Sequence, residues 1–424
     1  MRNVAVVASG TAGAQAITMV FAPIITRLYG PEAFGLLGTF MAIVSVIVPI
    51  AALAYPIAIV LPKEDSDAKG LVRLSLGISA GIAAVAFLAF GLKGEWILSS
   101  VGASEIADFA LLIPVVILFS AWLQIAQQWL IRQQAFKETA RATIAYSFIL
   151  NSAKSGAGLF YPFASVLISL QAIGIALHAI LLVLAARLSI VRRPLRWEEN
   201  PPQTSLALAY RYRDFPFYRA PQNFINAASK SIPTLLLATM VGPTAAGLYV
   251  LGQMVLGAPL QLIAKSVGDV FYPKFTNAVH VQKPLIPLLW KATAGLAVIG
   301  VIPFGLLVIL GPLIFELVFG SDWRAAGEYA RWLAIMYFVG FMNTPAVAAT
   351  ATLGLQRGLV IYEIASTGLK VIAMYIGFVA MGSDVWAIAL LGIFGAISYV
   401  GLIVWVFYEA QRVERAVVSL SQGK

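Results

Sequence analysis

Cysteine is absent from the 424-residue sequence, which excludes disulfides and thiolate metal sites. Histidine is nearly absent: His178 and His280 stand far apart and read as isolated structural or surface groups, not as metal ligands. Charge is scarce as well. Only 11% of residues are Asp, Glu, Lys or Arg, against roughly 25% in soluble domains. Catalytic signatures are missing: no GxxxxGK[ST] phosphate loop, no GxSxG and no HExxH occurs. The chain is therefore expected not to be an enzyme and to carry no cofactor and no metal.

Apolar residues fill the remainder, at 60% of the chain and a mean hydropathy of +0.87. Such a chain cannot cover its own apolar side chains with polar ones, so lipid must be its main solvent. Its 35 glycines and 21 prolines suit membrane helices, which tolerate both. Stretches of about 20 apolar residues can span the hydrocarbon core. They predict helices near 4–27, 35–61, 71–91, 107–131, 142–161 and 163–187, then 216–240, 245–268, 285–310, 325–351, 358–380 and 385–408. The fold class is thus all-α membrane protein with about 12 transmembrane helices in two six-helix lobes. The division is 1–188 for the first lobe, 189–215 for a cytoplasmic linker, 216–409 for the second lobe and 410–424 for a tail. The first helix is too long for a signal peptide and ends in Thr26-Arg27-Leu28-Tyr29-Gly30, so it is expected to stay in the mature protein.

Basic residues set the orientation. With both termini in the cytoplasm, about 22 of the 29 Lys and Arg fall on the inner side and about four, among them Arg27, on the outer side. A net charge of +10 spread over every inner loop fits a membrane, not a nucleic-acid patch. In the linker, Ser205 to Arg213 either lies on the membrane, with Leu206, Leu208 and Tyr210 toward lipid, or is a solvated connection.

Two halves repeat. Gly30-Pro31-x-x-x-Gly35-Leu36 follows the first helix, and Gly242-Pro243-x-x-x-Gly247-Leu248 follows the seventh. The offset is half the chain, which implies parallel repeats about an axis along the membrane normal.

Polar stripes on apolar helices must face protein or water, because lipid cannot hydrogen-bond them. The fifth helix carries Thr143, Ser147, Asn151, Lys154 and Ser155 at spacings that share one face. The seventh carries Asn223, Asn226, Lys230 and Thr234; the first Thr11, Gln15 and Thr18; the eighth Gln253, Gly257 and Gln261; the eleventh Glu363, Thr367 and Lys370. For amides and hydroxyls, helix packing is an equal alternative. The amines of Lys154, Lys230 and Lys370 lie near mid-membrane, where a charge needs water or a partner. Glu363 is a candidate partner for Lys370; Lys154 and Lys230 have none on their own helices. Most of the 19 acidic residues fall in loops or near helix ends. Deep charges that are all positive suit an anionic cargo, and lysine acts on phosphate as a tolerant point charge.

Four stretches resemble the polysaccharide or O-antigen flippases (Wzx-type) of the multidrug/oligosaccharidyl-lipid/polysaccharide exporter superfamily. They are Ile25-Thr-Arg-Leu-Tyr-Gly-Pro-Glu-Ala-Phe-Gly35 with Ile59-Val-Leu-Pro62; Tyr212-Arg-Asp-Phe-Pro-Phe-Tyr218; Gly242-Pro243 through Gly247-Leu-Tyr249 and Ala258-Pro259 to Phe271-Tyr-Pro273; and Leu317-Val-Phe-Gly-Ser-Asp-Trp323 with Ala326-Gly327. The resemblance implies a V-shaped, MATE-like fold in the bacterial inner membrane. It implies alternating access that moves an undecaprenyl-diphosphate-linked glycan to the periplasmic leaflet, working as a monomer. The implied partners are the anionic lipid-linked oligosaccharide, membrane lipid and the pathway's polymerase and chain-length proteins; a chemical or ion gradient (H+ or Na+), or removal of product, must supply the direction. Lys154 and Lys230 fit the family's cationic cavity, and Arg27 matches a recurrent basic position that also reads as a headgroup anchor. The substrate-facing set is Lys154, Lys230, Asn151, Asn223, Asn226, Lys370, Gln15, Gln253 and Arg27. An ion-coupled drug exporter of the same fold and a membrane-embedded sugar polymerase remain as alternatives, the latter disfavoured because the longest polar loop lies on the inner side.

Overall fold

The computed structural model describes residues 2–192 and 203–422, and the described residues are almost entirely helical. They divide into two compact units, residues 1–247 and residues 248–424. Among the described residues, eight helical stretches are long and apolar enough to cross a membrane.

In the first unit, α1 (Arg2–Ile47) is two helical arms joined at Gly30, whose φ of 70° and ψ of 172° are not helical. Glycine adopts positive φ without a Cβ clash, and Pro31 then starts the second arm with its φ already set. The helix expected over 35–61 forms as the second arm of α1 but ends at Ile47. A 3-10 turn (Val48–Ile50), left-handed Leu53 and Ala54, and the four-residue α2 (Tyr55–Ala58) replace the rest of it. Pro49 and Pro56 explain the break, since neither can donate a ladder hydrogen bond. Next come α3 (Asp65–Ser100), α4 (Leu112–Arg132), α5 (Phe136–Gly158) and α6 (Ala164–Arg192). A short α7 (Ser205–Arg211) and one π turn (Phe215–Arg219) lead into α8 (Ala220–Met240). The arms of α1 pack against α5, α6 and α8, while α4 packs against α3 and α6. One apolar cluster centres on Phe40, Leu98, Ile113 and Ile117; another on Ile59, Leu71, Leu130 and Leu182.

The repeated Gly-Pro turns meet. A Cβ on Gly35 would lie 1.7 Å from the Pro243 carbonyl oxygen, and a Cβ on Gly247 would lie 1.9 Å from the Pro31 carbonyl oxygen. Each glycine therefore receives the backbone of the opposite proline, and only hydrogen at Cα allows that approach. Gly242 has positive φ, 122°, as Gly30 does.

The second unit holds most of α9 (Pro243–His280), then α10 (Ile286–Phe319), α11 (Arg324–Met342), α12 (Thr344–Thr352), α13 (Gln356–Met381) and α14 (Asp384–Gln422). A break at Asn343 divides the single helix expected over 325–351. α10 packs on α11 through Gly311 and Gly327, where small residues let two backbones approach. α14 packs on α11 and α13. Its Glu414 accepts hydrogen bonds from the backbone N–H groups of Leu285 and Ile286, satisfying donors that the start of α10 leaves open. Glu414→Ala is expected to lower stability by about 1 kcal/mol, read as a drop in melting temperature; an unchanged melt would show that this cap is redundant.

Candidate functional site

The polar stripe of α5 faces inward, against α1 and α6. Ser147, Asn151 and Lys154 are buried, and Lys154 is only 8% exposed. Its Nζ donates to Gln171 Oε1 on α6 at 2.6 Å. Among the described residues it bonds no carboxylate. Tyr29, at the end of the first arm of α1, donates its hydroxyl to the Lys154 backbone carbonyl at 2.9 Å. One turn back, Asn151 Nδ2 donates to the Ser147 carbonyl at 2.7 Å and to Thr18 Oγ1 on α1 at 3.3 Å.

The network continues along α6. Tyr146 is hydrogen-bonded to Gln171 and stacks on His178, with ring centroids 4.2 Å apart. Thr143 Oγ1 lies 3.4 Å from His178 Nε2. Gln15 Oε1 on α1 and Ser155 Oγ on α5 are buried without a hydrogen-bond partner.

The other expected site residues spread differently. On α8, Lys230 and Asn226 are exposed and Asn223 is half-buried; Thr234 is buried. Arg27 is exposed. In the second unit, Gln253 donates to the Tyr249 hydroxyl at 2.8 Å. Lys370 stands over the Tyr399 ring, 5.8 Å from its centroid, and Glu363 is exposed. Lys154, Asn151 and Gln15 therefore share the α1–α5–α6 bundle, Lys230, Asn223 and Asn226 share α8, and Lys370 and Gln253 belong to the second unit. Sequence reading missed Gln171, Tyr146 and Tyr29. Gln171 gave one signal, a lone amide two turns from His178 on an otherwise apolar helix.

The profile of a family described as polysaccharide biosynthesis protein matches residues 24–328. The succinoglycan biosynthesis transport protein ExoT of Rhizobium meliloti (strain 1021) is 25% identical over 416 residues, covering 95% of this chain and 78% of ExoT. Two solved structures share the fold, each at 13% identity. An inward-facing multidrug resistance MATE family transporter of the MOP superfamily superposes with a TM-score of 0.74 over 95% of this chain and 96% of that one. The lipid II flippase MurJ, in an inward closed conformation, gives 0.70 over 96% and 89%. A helical chain with several helices long and apolar enough to cross a membrane, matched over most of its length by that profile, belongs to the polysaccharide biosynthesis protein family.

Proposed function

We propose that the protein flips an undecaprenyl-diphosphate-linked oligosaccharide from the cytoplasmic to the periplasmic leaflet of the bacterial inner membrane, for surface polysaccharide assembly. The observation that carries this reading is the Lys154 amine, buried in an apolar bundle and held by an amide instead of a carboxylate. A cation kept at that cost is suited to an anion that arrives and leaves. The diphosphate takes the place of a fixed counter-charge, and neighbouring amides and hydroxyls serve sugar hydroxyls. Lys230, exposed on α8, supplies further positive charge. The polyprenyl tail stays in lipid while the hydrated head crosses.

In this reading twelve spans form two six-helix lobes that rock by alternating access, with both termini cytoplasmic. The amines give no direction, so a gradient of H+ or Na+, or removal of product, supplies it. The protein is not an enzyme in this scheme and works as a monomer beside polymerase and chain-length proteins.

The test is reconstitution into vesicles with a fluorescent undecaprenyl-diphosphate oligosaccharide, scoring its movement between leaflets. Transfer that needs the protein, and that stops with the uncharged dolichol-type alcohol bearing the same sugars left unmoved, is the expected result. Efflux of cationic dyes without lipid transfer would overturn it and favour a drug exporter of the same fold.

A further inference from the structure

The segment from Thr204 to Arg219 is pinned to the first unit on one side. Leu208, expected to face lipid if the segment lay on the membrane, is instead fully buried. It sits over Gly70 of α3, where a Cβ would come within 2.4 Å of Leu208 Cδ1. A side chain at position 70 would fill the notch, so the bare glycine backbone is what receives the leucine. Tyr55 donates its hydroxyl to the Ala209 carbonyl at 3.1 Å. Asp67 accepts from the Gln203 backbone N–H at 3.1 Å and stands 3.7 Å from Arg211. Thr204 accepts from the Ala207 N–H and starts the helix.

The free side has a different chemistry. Leu206 is 82% exposed, and Tyr210, Phe217 and Tyr218 are about as open, at 69%, 71% and 73%. Arg211, Arg213 and Arg219 are exposed among them. The Arg213 guanidinium lies 4.5 Å from the Tyr210 ring centroid, and that of Arg211 lies 5.5 Å from the Tyr212 centroid. Arg219 donates to Gln222 at 2.9 Å. Ring and amide contacts restrict these side chains while leaving guanidinium donors open, and a planar guanidinium matches a phosphate. Apolar and aromatic side chains interleaved with arginines on a docked segment fit the plane where acyl chains meet headgroups. Its charge fits an anionic surface: with Arg211 paired to Asp67, Arg213 and Arg219 stand against Asp214 alone.

We infer that residues 204–219 form a headgroup site for anionic glycerophospholipid, a rigid edge that holds lipid phosphate against the first unit. This does not depend on the cargo proposed above, because it concerns resident bilayer lipid and is read without transport. The probe is labelled phosphatidylglycerol, with the full-length protein in phosphatidylcholine nanodiscs. Arg211→Gln/Arg213→Gln/Arg219→Gln should weaken its binding about tenfold or more, and the wild-type affinity should fall as salt rises. Arg213→Gln/Arg219→Gln, which leaves the Asp67–Arg211 pair intact, should show a loss of about fivefold with an unchanged melt. Lysine at the same two positions should restore part of the binding, through charge without the guanidinium fork. Lys283→Gln/Arg412→Gln should change nothing. Equal phosphatidylglycerol binding by wild type and the double variant would overturn the inference. So would equal retention of phosphatidylcholine, or competition by a polyprenyl diphosphate but not by phosphatidylglycerol.

Discussion

Lys154→Met is expected to slow transport severely and to leave the protein as stable as before, or more so. A buried ammonium held by one amide is a net cost to folding, because a single neutral acceptor replaces little of its hydration. Methionine fills similar volume without that cost and retains a flexible stem. The melting temperature should therefore hold or rise. Transport should fall by about 10- to 100-fold, the worth of one charge-assisted contact of about 1.5–3 kcal/mol to the cargo. Gln171→Leu completes the comparison. With Lys154 present it strips the amine of its 2.6 Å acceptor and should cost about 2–3 kcal/mol; in the Lys154→Met background it should cost less, about 1 kcal/mol, since only the Tyr146 contact is then lost. Two outcomes count against the proposal. Full transport by Lys154→Met removes the amine from function, and a lower melt for that variant makes Lys154 a structural residue.

Gly35→Ala should be strongly destabilising, since among the described glycines its added carbon would make the closest approach. The new carbon would sit 1.7 Å from the Pro243 carbonyl oxygen, well inside van der Waals contact, and the obstacle is backbone that cannot rotate away. The second arm of α1 and the start of α9 would have to part by more than about 1 Å, at a cost of about 1–3 kcal/mol or beyond. Gly247→Ala meets the mirror problem at the Pro31 oxygen and should cost the same. The pair should be far from additive, since once the turns have separated the second methyl finds room. Gly156→Ala and Gly295→Ala meet nothing within 4 Å and should raise the melting temperature slightly, because alanine is the better helix former. Near-normal melts for Gly35→Ala and Gly247→Ala would mean that the contact is loose.

The sequence revealed the solvent of this fold more readily than its joints. Long apolar runs marked most helices because lipid enforces apolarity over about 20 residues at a time. It enforces nothing at a turn inside the protein, and so the apolar run through 48–54 hides an unwinding set by Pro49, Pro56 and left-handed Leu53 and Ala54. The α5 stripe was legible because spacings of three and four carry it on one helix. Its acceptor was not, because Gln171 lies on another helix and nothing in a linear pattern links positions 154 and 171. Leu208 shows the opposite limit. Alternation with Leu206 and Tyr210 suggested one apolar face, but the notch at Gly70, 138 residues away, takes Leu208 inward while Leu206 stays out.

The paired Gly-Pro turns carry a historical implication. Residue 31 touches 247 while 35 touches 243, and these are equivalent positions exchanged. Reciprocity of that kind is the signature of an isologous dimer interface, in which one surface patch recognises its own copy. A single gene product of half this length, self-associating through that patch, would need only tandem duplication and a tether to become the present chain. The glycines would then be older than the fusion.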